Sequence, residues 1–176
     1  MSSLGAILSR REARVELRRQ LQQEHQLPLV VFTMNIPGPE KRNPLYASAH
    51  QAGEERLVNR LSSGNIHVLR RIVQYGACGR ETFFIVRTDA ELLKRICCEI
   101  EENHPLGRLF DMDVYDENSF AVKRTDIEKG PRSCFLCNKP AGECARSRRH
   151  PIGEIQAFVE NSILTYLESS EEKPDM

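Results

Sequence analysis

The 176-residue sequence contains no tryptophan, and aromatic residues make up only 6% of it. Its 25 Lys and Arg residues balance its 25 Asp and Glu residues, so the formal net charge is zero. Nucleic-acid binding through base stacking or bulk positive charge is therefore disfavoured, although a local basic patch stays compatible with it. No apolar stretch approaches the roughly 20 residues that span a bilayer, and the N-terminal segment lacks the pattern of a secretory signal. We expect a cytoplasmic protein without a membrane segment.

Hydrophobic residues make up 40% of the chain and charged residues 28%, which is typical of a globular protein with a sizeable core. We expect a single domain over residues 1–168 and a polar, disordered tail over 169–176. In the cytoplasm, the six cysteines are expected to be free thiols or metal ligands rather than disulfides.

Helix and strand signals are mixed along the chain, which predicts an α+β domain with a mostly antiparallel sheet and flanking helices. Capping boxes that begin at Ser9 and Thr88 predict the starts of two helices, while Pro44 and Pro151 suit the first turns of two more. Helices are expected over 9–26, 44–62, 88–104 and 151–167. Strands are expected over 29–34, 66–75, 82–87, 109–115 and 120–124.

Acidic and apolar residues alternate in the fourth of these strands. The alternation places Asp111 and Asp113 side by side on one face, roughly 6.6 Å apart along the backbone, and turns the apolar residues into the core. Two such carboxylates can share a hard cation, and Mg²⁺ or Mn²⁺ there would neutralise phosphate oxygens. The pattern favours metal-supported phosphoryl or nucleotidyl transfer. The alternative is an edge strand whose acidic face is merely solvated.

Two basic regions are candidates for binding the anion. Arg11, Arg14 and Arg18 share one face of the first predicted helix. Lys41 ends a stiff loop, 35–41, that follows the first predicted strand, and such loops often carry ligand contacts. In both regions, an ordinary solvated surface is equally compatible with the sequence.

The C-terminal third contains the spacing C-x2-C-x6-C-x5-H, formed by Cys134, Cys137, Cys144 and His150. Three thiols and an imidazole make a tetrahedral zinc set with no open position, so this would be a structural zinc-knuckle segment over 134–150. The alternative is a loop of reduced cysteines, with His150 simply preceding the last helix. Three arginines between the last two ligands could clamp phosphate or dock an acidic carrier, or could be solvated: Arg146, Arg148 and Arg149.

The stretch from His104 to Val114, HPLGRLFDMDV, resembles the signature of the apo-citrate lyase phosphoribosyl-dephospho-CoA transferase family. Other segments match the family in the same order along almost the whole chain: Ser9–Arg14, Phe32–Thr33, Pro37–Lys41 and the Cys134–His150 cluster. The resemblance implies a nucleotidyltransferase-like site. It also implies transfer of the phosphoribosyl-dephospho-CoA group from its triphosphate precursor to a serine of the apo acyl carrier subunit of citrate lyase, with release of diphosphate.

The resemblance also implies roles for particular residues. Asp111 and Asp113 would hold the metal, and Arg108 would stabilise negative charge on the polyphosphate. Residues expected to contact the substrates are Arg14, Arg18, Lys41, His104 and Gly107; His104 is equally compatible with a structural helix cap. A third metal-binding carboxylate is expected, and the sequence leaves three candidates open: Glu101, Asp116 and Asp126.

Two other functions stay compatible with the sequence. The chain could be a zinc-knuckle module that binds nucleic acid or protein, but then the aspartate pair has no explanation. Alternatively, it could transfer the same prosthetic group to a different carrier protein, a choice that the residues do not decide.

Overall fold

The computed structural model describes residues 3–38, 41–76 and 79–171. Its strands are β1 (Leu29–Met34), β2 (His67–Gly76), β3 (Gly79–Arg87), β4 (Phe110–Tyr115) and β5 (Ala121–Val122). Its α-helices are α1 (Ser3–His25), α2 (Pro44–Ser63), α3 (Ala90–Asn103), α4 (Ala141–Arg146) and α5 (Ile152–Glu171). Two short 3-10 helices lie at Gly107–Leu109 and Arg124–Ile127.

The described strands form one five-stranded sheet in the order β2-β3-β1-β4-β5, and every neighbouring pair is antiparallel. The prediction of a single α+β domain with a mostly antiparallel sheet and flanking helices is confirmed. None of the helices in the described ranges combines the length and hydropathy needed to cross a bilayer.

Helix starts follow local chemistry, though not always at the predicted residue. The Asn43 side chain accepts a hydrogen bond from the Leu45 N–H at 2.9 Å, which begins α2 at Pro44 as predicted. The prediction for α1 is wrong, because that helix begins at Ser3 and Ser9 lies inside it. The prediction for α3 is displaced by one residue, since Asp89 rather than Thr88 is the N-cap.

Two further boundaries differ from the predictions. The last strand is only two residues long, because it lies between a turn capped by Asp116 and the 3-10 helix Arg124–Ile127. Phe120, before the strand, is 71% exposed. Helix α5 continues through Glu171, so residues 169–171 are helical rather than part of a disordered tail. The remainder of the predicted tail, 172–176, lies outside the described residues.

The sheet has two chemically different faces. One packs against apolar residues of α2, α3 and α5, and its aromatic residues are fully buried: Phe32, Phe84 and Phe110. Helix α2 approaches this face closely, since a Cβ on Gly53 would lie 2.5 Å from the Phe32 ring. The other face, called the α1 face below, has a smaller apolar cluster around Leu21 of α1 and leaves room for charged side chains.

Candidate active site and metal centre

Strand β4 alternates as the sequence predicts. Its apolar residues Phe110, Met112 and Val114 are buried in the core. Asp111 and Asp113 point to the α1 face, where both reach solvent. The structure therefore places the two carboxylates side by side on an accessible surface of the sheet.

Strand register extends this acidic site across the sheet. Asp111 lies opposite Thr33 of β1, and β1 pairs with β3 as far as Phe32 and Thr82, the residue next to Glu81. Glu81 is completely buried, on the same face as the two aspartates. Sequence reasoning missed Glu81, although its alternation with the buried Phe83 and Ile85 was a usable signal.

Arginines of α1 cover these acids. Arg10 and Arg14 form ion pairs with Glu81 at 2.8 and 3.2 Å. Arg18 lies 4.0 Å above the Tyr115 ring and donates a hydrogen bond to the Ser119 carbonyl at 3.2 Å. Arg14 and Arg18 thus face the sheet. By contrast, Arg11, which was predicted on the same helix face, is solvent-exposed.

Helix α3 fixes the backbone of the acidic strand. Beside Met112, β4 has no neighbouring strand on the β5 side, so the peptide groups there need other partners. Buried Lys94 donates to the Met112 carbonyl at 3.0 Å, and buried Glu101 accepts from the Met112 N–H at 3.0 Å. Two charged side chains therefore take the place of a strand and hold the residue between the aspartates.

Each of the three predicted candidates for a third metal-binding carboxylate accepts a hydrogen bond within the structure. Glu101 accepts from Met112 and pairs with two arginines. Asp116 caps the β4–β5 turn by accepting from backbone N–H groups, at 3.0 Å from Asn118 and 2.8 Å from Phe120. Asp126 accepts from the Lys123 N–H at 2.8 Å and caps a 3-10 helix. Each of the three carboxylates thus has a structural contact of its own.

Arg132 is the second residue that sequence reasoning missed. Its guanidinium group lies 2.9 Å from Asp111 Oδ1 and 2.5 Å from Glu101 Oε1. Nothing in the local sequence marks it, because it reaches β4 from a loop 21 residues further along the chain.

The electrostatics of the aspartate pair favour a cation. Desolvation by surrounding protein atoms and the negative charge of Asp111 raise the pKa of Asp113. The positive charges of Lys94, Arg132 and Arg14 act in the opposite direction but are smaller effects. Among the described residues, no group donates a hydrogen bond to the Asp113 carboxylate. The pair thus consists of two adjacent carboxylates, one of which accepts no hydrogen bond from the described residues.

Arg108 contacts the segment before the cysteines and lines a cavity together with Glu101 and Arg132. Its guanidinium donates to the Ser133 carbonyl and lies 5.6 Å from the Phe135 ring centroid, so it binds the segment that leads into the cysteines. Gly107 is required for packing, because a Cβ there would lie 2.5 Å from the carbonyl oxygens of Ile100 and Glu101.

His104 and Lys41 lie in other surroundings. His104 ends α3 on the core side of the sheet, where Nδ1 accepts from the Leu106 N–H at 3.0 Å and the ring packs on Phe110. Burial, followed by the charge of Arg56, lowers the pKa of His104 to about 4, so it is neutral at pH 7. Lys41 donates to the Ile36 carbonyl and lines a cavity of about 440 Å³ at the end of β1.

The predicted cysteine and histidine set does come together. One ligand atom from each of Cys134, Cys137, Cys144 and His150 lies within 4.8 Å of the others. The sulfur atoms of Cys137 and Cys144 are 3.5 Å apart, close to the about 3.8 Å expected for two 2.3 Å Zn–S bonds at a tetrahedral angle. The Nε2 atom of His150 is buried without a hydrogen-bond partner among the described residues.

The Cys134 thiol accepts backbone hydrogen bonds, as the first thiol of a Cys-x-x-Cys knuckle does. Burial acts to raise its pKa, but the backbone N–H groups of Leu136 and Cys137 outweigh that effect and hold the pKa below its ordinary value. The Cys3His set can therefore hold a metal ion such as zinc, and its four ligands leave no open position.

The sheet, the accessible aspartate pair and the surrounding arginines are those expected of an α+β transferase that handles a phosphate-bearing group. A comparison with protein families matches residues 2–166 to apo-citrate lyase phosphoribosyl-dephospho-CoA transferase. Since the match covers nearly the whole sequence, the chain belongs to this family, as the resemblance predicted.

Individual relatives agree with that assignment. The chain is 33% identical over 165 residues to a "Probable apo-citrate lyase phosphoribosyl-dephospho-CoA transferase" of Vibrio cholerae, covering 93% of each. It is 30% identical over 153 residues to the "Apo-citrate lyase phosphoribosyl-dephospho-CoA transferase" of Escherichia coli, covering 87% of this chain and 84% of the relative. It is also 35% identical over 153 residues to "Protein CitXG" of Haemophilus influenzae; the match covers 87% of this chain and only 33% of that longer protein.

Proposed function

We propose that this protein transfers the phosphoribosyl-dephospho-CoA group from its triphosphate precursor to a serine of the apo acyl carrier subunit of citrate lyase, releasing diphosphate. The observation that carries the proposal is the aspartate pair on one face of β4, in a chain of this family. We also assign the reaction to the cytoplasm, where thiols such as those of buried Cys97 and Cys98 stay reduced.

In the proposed reaction, the serine Oγ attacks the phosphorus nearest the ribose. A new P–O bond to serine forms, the P–O bond to diphosphate breaks, and the hydroxyl proton passes to water. Asp111 and Asp113 would hold Mg²⁺ or Mn²⁺, which neutralises phosphate oxygens. Arg14 and Arg18, on the same face, would attract and orient the triphosphate through their positive charge. The proposed contacts with the metal and the triphosphate do not include four residues that the sequence suggested for the site: Arg108, Lys41, Gly107 and His104.

The Cys3His set is proposed to hold zinc in a structural role. Four protein ligands complete a tetrahedral shell and leave no place for substrate. The site would fold residues 131–150 and so fix the loop that brings Arg132 to Asp111.

Intact mass measurement of the carrier tests the reaction directly. Incubation of enzyme, triphosphate donor and apo-carrier with Mg²⁺ should add one phosphoribosyl-dephospho-CoA group per acceptor serine and release one diphosphate. Carrier with serine replaced by alanine should give neither signal, and EDTA should stop both. Release of orthophosphate alone, or modification without the serine, contradicts the proposal.

The same assay separates the alternatives. Modification of another carrier, but not of the citrate lyase subunit, would keep the chemistry and change the acceptor. Binding of RNA without any product would favour a zinc-knuckle binding module.

A further inference from the structure

One guanidinium group is shared between the accessible aspartate pair and the buried edge of the sheet. Arg132 Nη1 lies 2.9 Å from Asp111 Oδ1 and 3.2 Å from the Phe110 carbonyl oxygen. Its Nη2 lies 2.5 Å from Glu101 Oε1. The two ends of the guanidinium fork therefore bind two acids with different surroundings.

The contact between Arg132 Nη2 and Glu101 is the one that would persist when substrate binds. Glu101 is 3% exposed, and its other contacts come from the Met112 N–H and from Arg124 at 2.9 Å. Removing Arg132 from it would leave a buried carboxylate short of a partner, which is strongly unfavourable. The Nη2 contact is thus held by the packing of α3 against β4.

The Asp111 end is the exchangeable one. The Asp111 side chain is 39% exposed, and that of Arg132 is 23% exposed, so solvent and substrate can reach their contact. A metal-bound Asp111 would lose the need for a guanidinium partner. Nη1 could then turn to another anion while Nη2 stays on Glu101.

The backbone around Arg132 is fixed independently of its side chain. The Arg132 carbonyl accepts from the Ala141 N–H at 2.8 Å, and the next carbonyl, of Ser133, accepts from Arg108. Two residues further along, Cys134 enters the Cys3His set. A phosphoryl oxygen can therefore replace Asp111 at Nη1 without movement of the backbone.

We infer that Arg132 is a further catalytic residue, which pairs with Asp111 in the free enzyme and donates Nη1 to an oxygen of the transferred phosphoryl group when the cation-bound triphosphate arrives. The inference rests on the proposed function. Asp111 neutralises Arg132 before the substrate binds, Glu101 keeps the guanidinium in place, and the released donor meets the developing negative charge. Arginine suits this role because its planar fork can keep one acid while it exchanges the other.

The first test measures Mn²⁺ binding by electron paramagnetic resonance, without donor or carrier. Arg132→Gln should bind Mn²⁺ more tightly than the wild type, because the variant loses a cation that competes for Asp111. Equal or weaker binding by Arg132→Gln would mean that Arg132 does not compete with the metal for Asp111, which overturns the inference. This result is independent of carrier modification.

The second test compares kcat for carrier modification. Arg132→Gln should lose about 100-fold or more, as when one donor to a transition-state oxyanion is removed. Arg132→Lys should lose almost as much, because an ammonium group cannot hold Glu101 and the phosphoryl oxygen at once. A rate close to that of the wild type in either variant overturns the inference.

The matched control is Arg124→Gln. Arg124 shares Glu101 with Arg132 and is similarly buried, but its second partner is Glu102 rather than Asp111. Its replacement should lower kcat clearly less than Arg132→Gln does, because Arg124 would act on the site only through Glu101. A loss equal to that of Arg132→Gln would assign the effect to disturbance of Glu101 and overturn the inference. If the wild type itself makes no product, the proposed function fails, while the Mn²⁺ comparison still decides whether Arg132 competes for Asp111.

Discussion

Two carboxylates on opposite faces of the sheet have opposite surroundings: Glu54 on the face covered by α2, and Asp113 on the α1 face. On the face covered by α2, the carboxylate of Glu54 is 1% exposed and accepts hydrogen bonds from Thr82, Arg80 and Arg71. His50 Nδ1 lies 3.1 Å from it. On the α1 face, Asp113 reaches solvent and accepts no hydrogen bond from the described residues.

The pKa shifts of these two carboxylates have opposite signs. Burial alone would raise the pKa of Glu54, but hydrogen bonds from His50, Arg80 and Thr82 outweigh it and lower the pKa to about 2. The pKa of Asp113 is instead raised, by desolvation and by Asp111. A carboxylate that accepts several hydrogen bonds stabilises the fold. Two adjacent carboxylates, one of which accepts no hydrogen bond, repel each other, and a cation can relieve that repulsion. The comparison predicts where substitution removes function and where it removes stability.

The largest expected effect is on the α1 face. Asp111→Asn should lower turnover by about 1000-fold, because it would remove an anionic ligand of the cation that we propose for phosphoryl transfer. The free energy of unfolding should change little, since the substitution also removes a repulsion with Asp113. Carrier mass measurement gives the rate, and circular dichroism gives the fold.

Asp126→Asn is the matched control for that prediction. Asp126 is exposed and caps a 3-10 helix, so its replacement should leave turnover nearly unchanged. A folded Asp111→Asn variant that turns over as fast as this control would remove the distinction between the two faces.

The next effect lies outside both faces, in the Cys3His set. Purified protein should contain about one zinc per chain, and Cys137→Ser should lose it. The melting temperature should then fall by at least about 10 °C. Structural zinc binds with roughly 10 kcal/mol, and 1 kcal/mol corresponds to about 2–4 °C in a chain of this size.

Lys139→Ser serves as the control in the same segment, since Lys139 is exposed and is not part of the metal-binding set. Its melting temperature should stay close to that of the wild type. Protein purified without chelator that contains no zinc would reject the metal site and leave the aspartate site untouched.

Sequence reasoning succeeded where the chemistry is local. Alternation placed Asp111 and Asp113 on one face, and the short spacing of Cys134, Cys137 and Cys144 brought their sulfur atoms together. In both cases, residues close in the chain are close in space for a reason that strand periodicity or metal geometry supplies.

Sequence reasoning failed where partners come from distant elements. Arg132 and Glu81 reach the acidic site from a loop and from β3, and only the register and the packing of α3 bring them there. Glu101 is one of three candidates that the sequence leaves open for a metal, and its hydrogen bond from the Met112 N–H at the open edge of β4 is not visible in the sequence. These assignments depend on which peptide groups lack a strand partner, and the sequence alone does not carry that information.

The smallest expected effect is on the α2 face and concerns stability alone. Glu54→Gln should lower the free energy of unfolding at pH 7 by at most about 3 kcal/mol, the equivalent of moving one pKa from its ordinary 4.5 to about 2. Because the folded-state pKa is the lower one, this stabilisation is fully present above pH 4.5 and is lost as the pH falls towards 2. Urea unfolding of both proteins between pH 7 and pH 2 should therefore give curves that converge at the acid end. Turnover per folded molecule should match the wild type, since Glu54 and the aspartate pair lie on opposite faces. Curves that stay parallel down to pH 2 would show that Glu54 stabilises the fold by packing rather than by charge, and that the contrast between the two faces is not electrostatic.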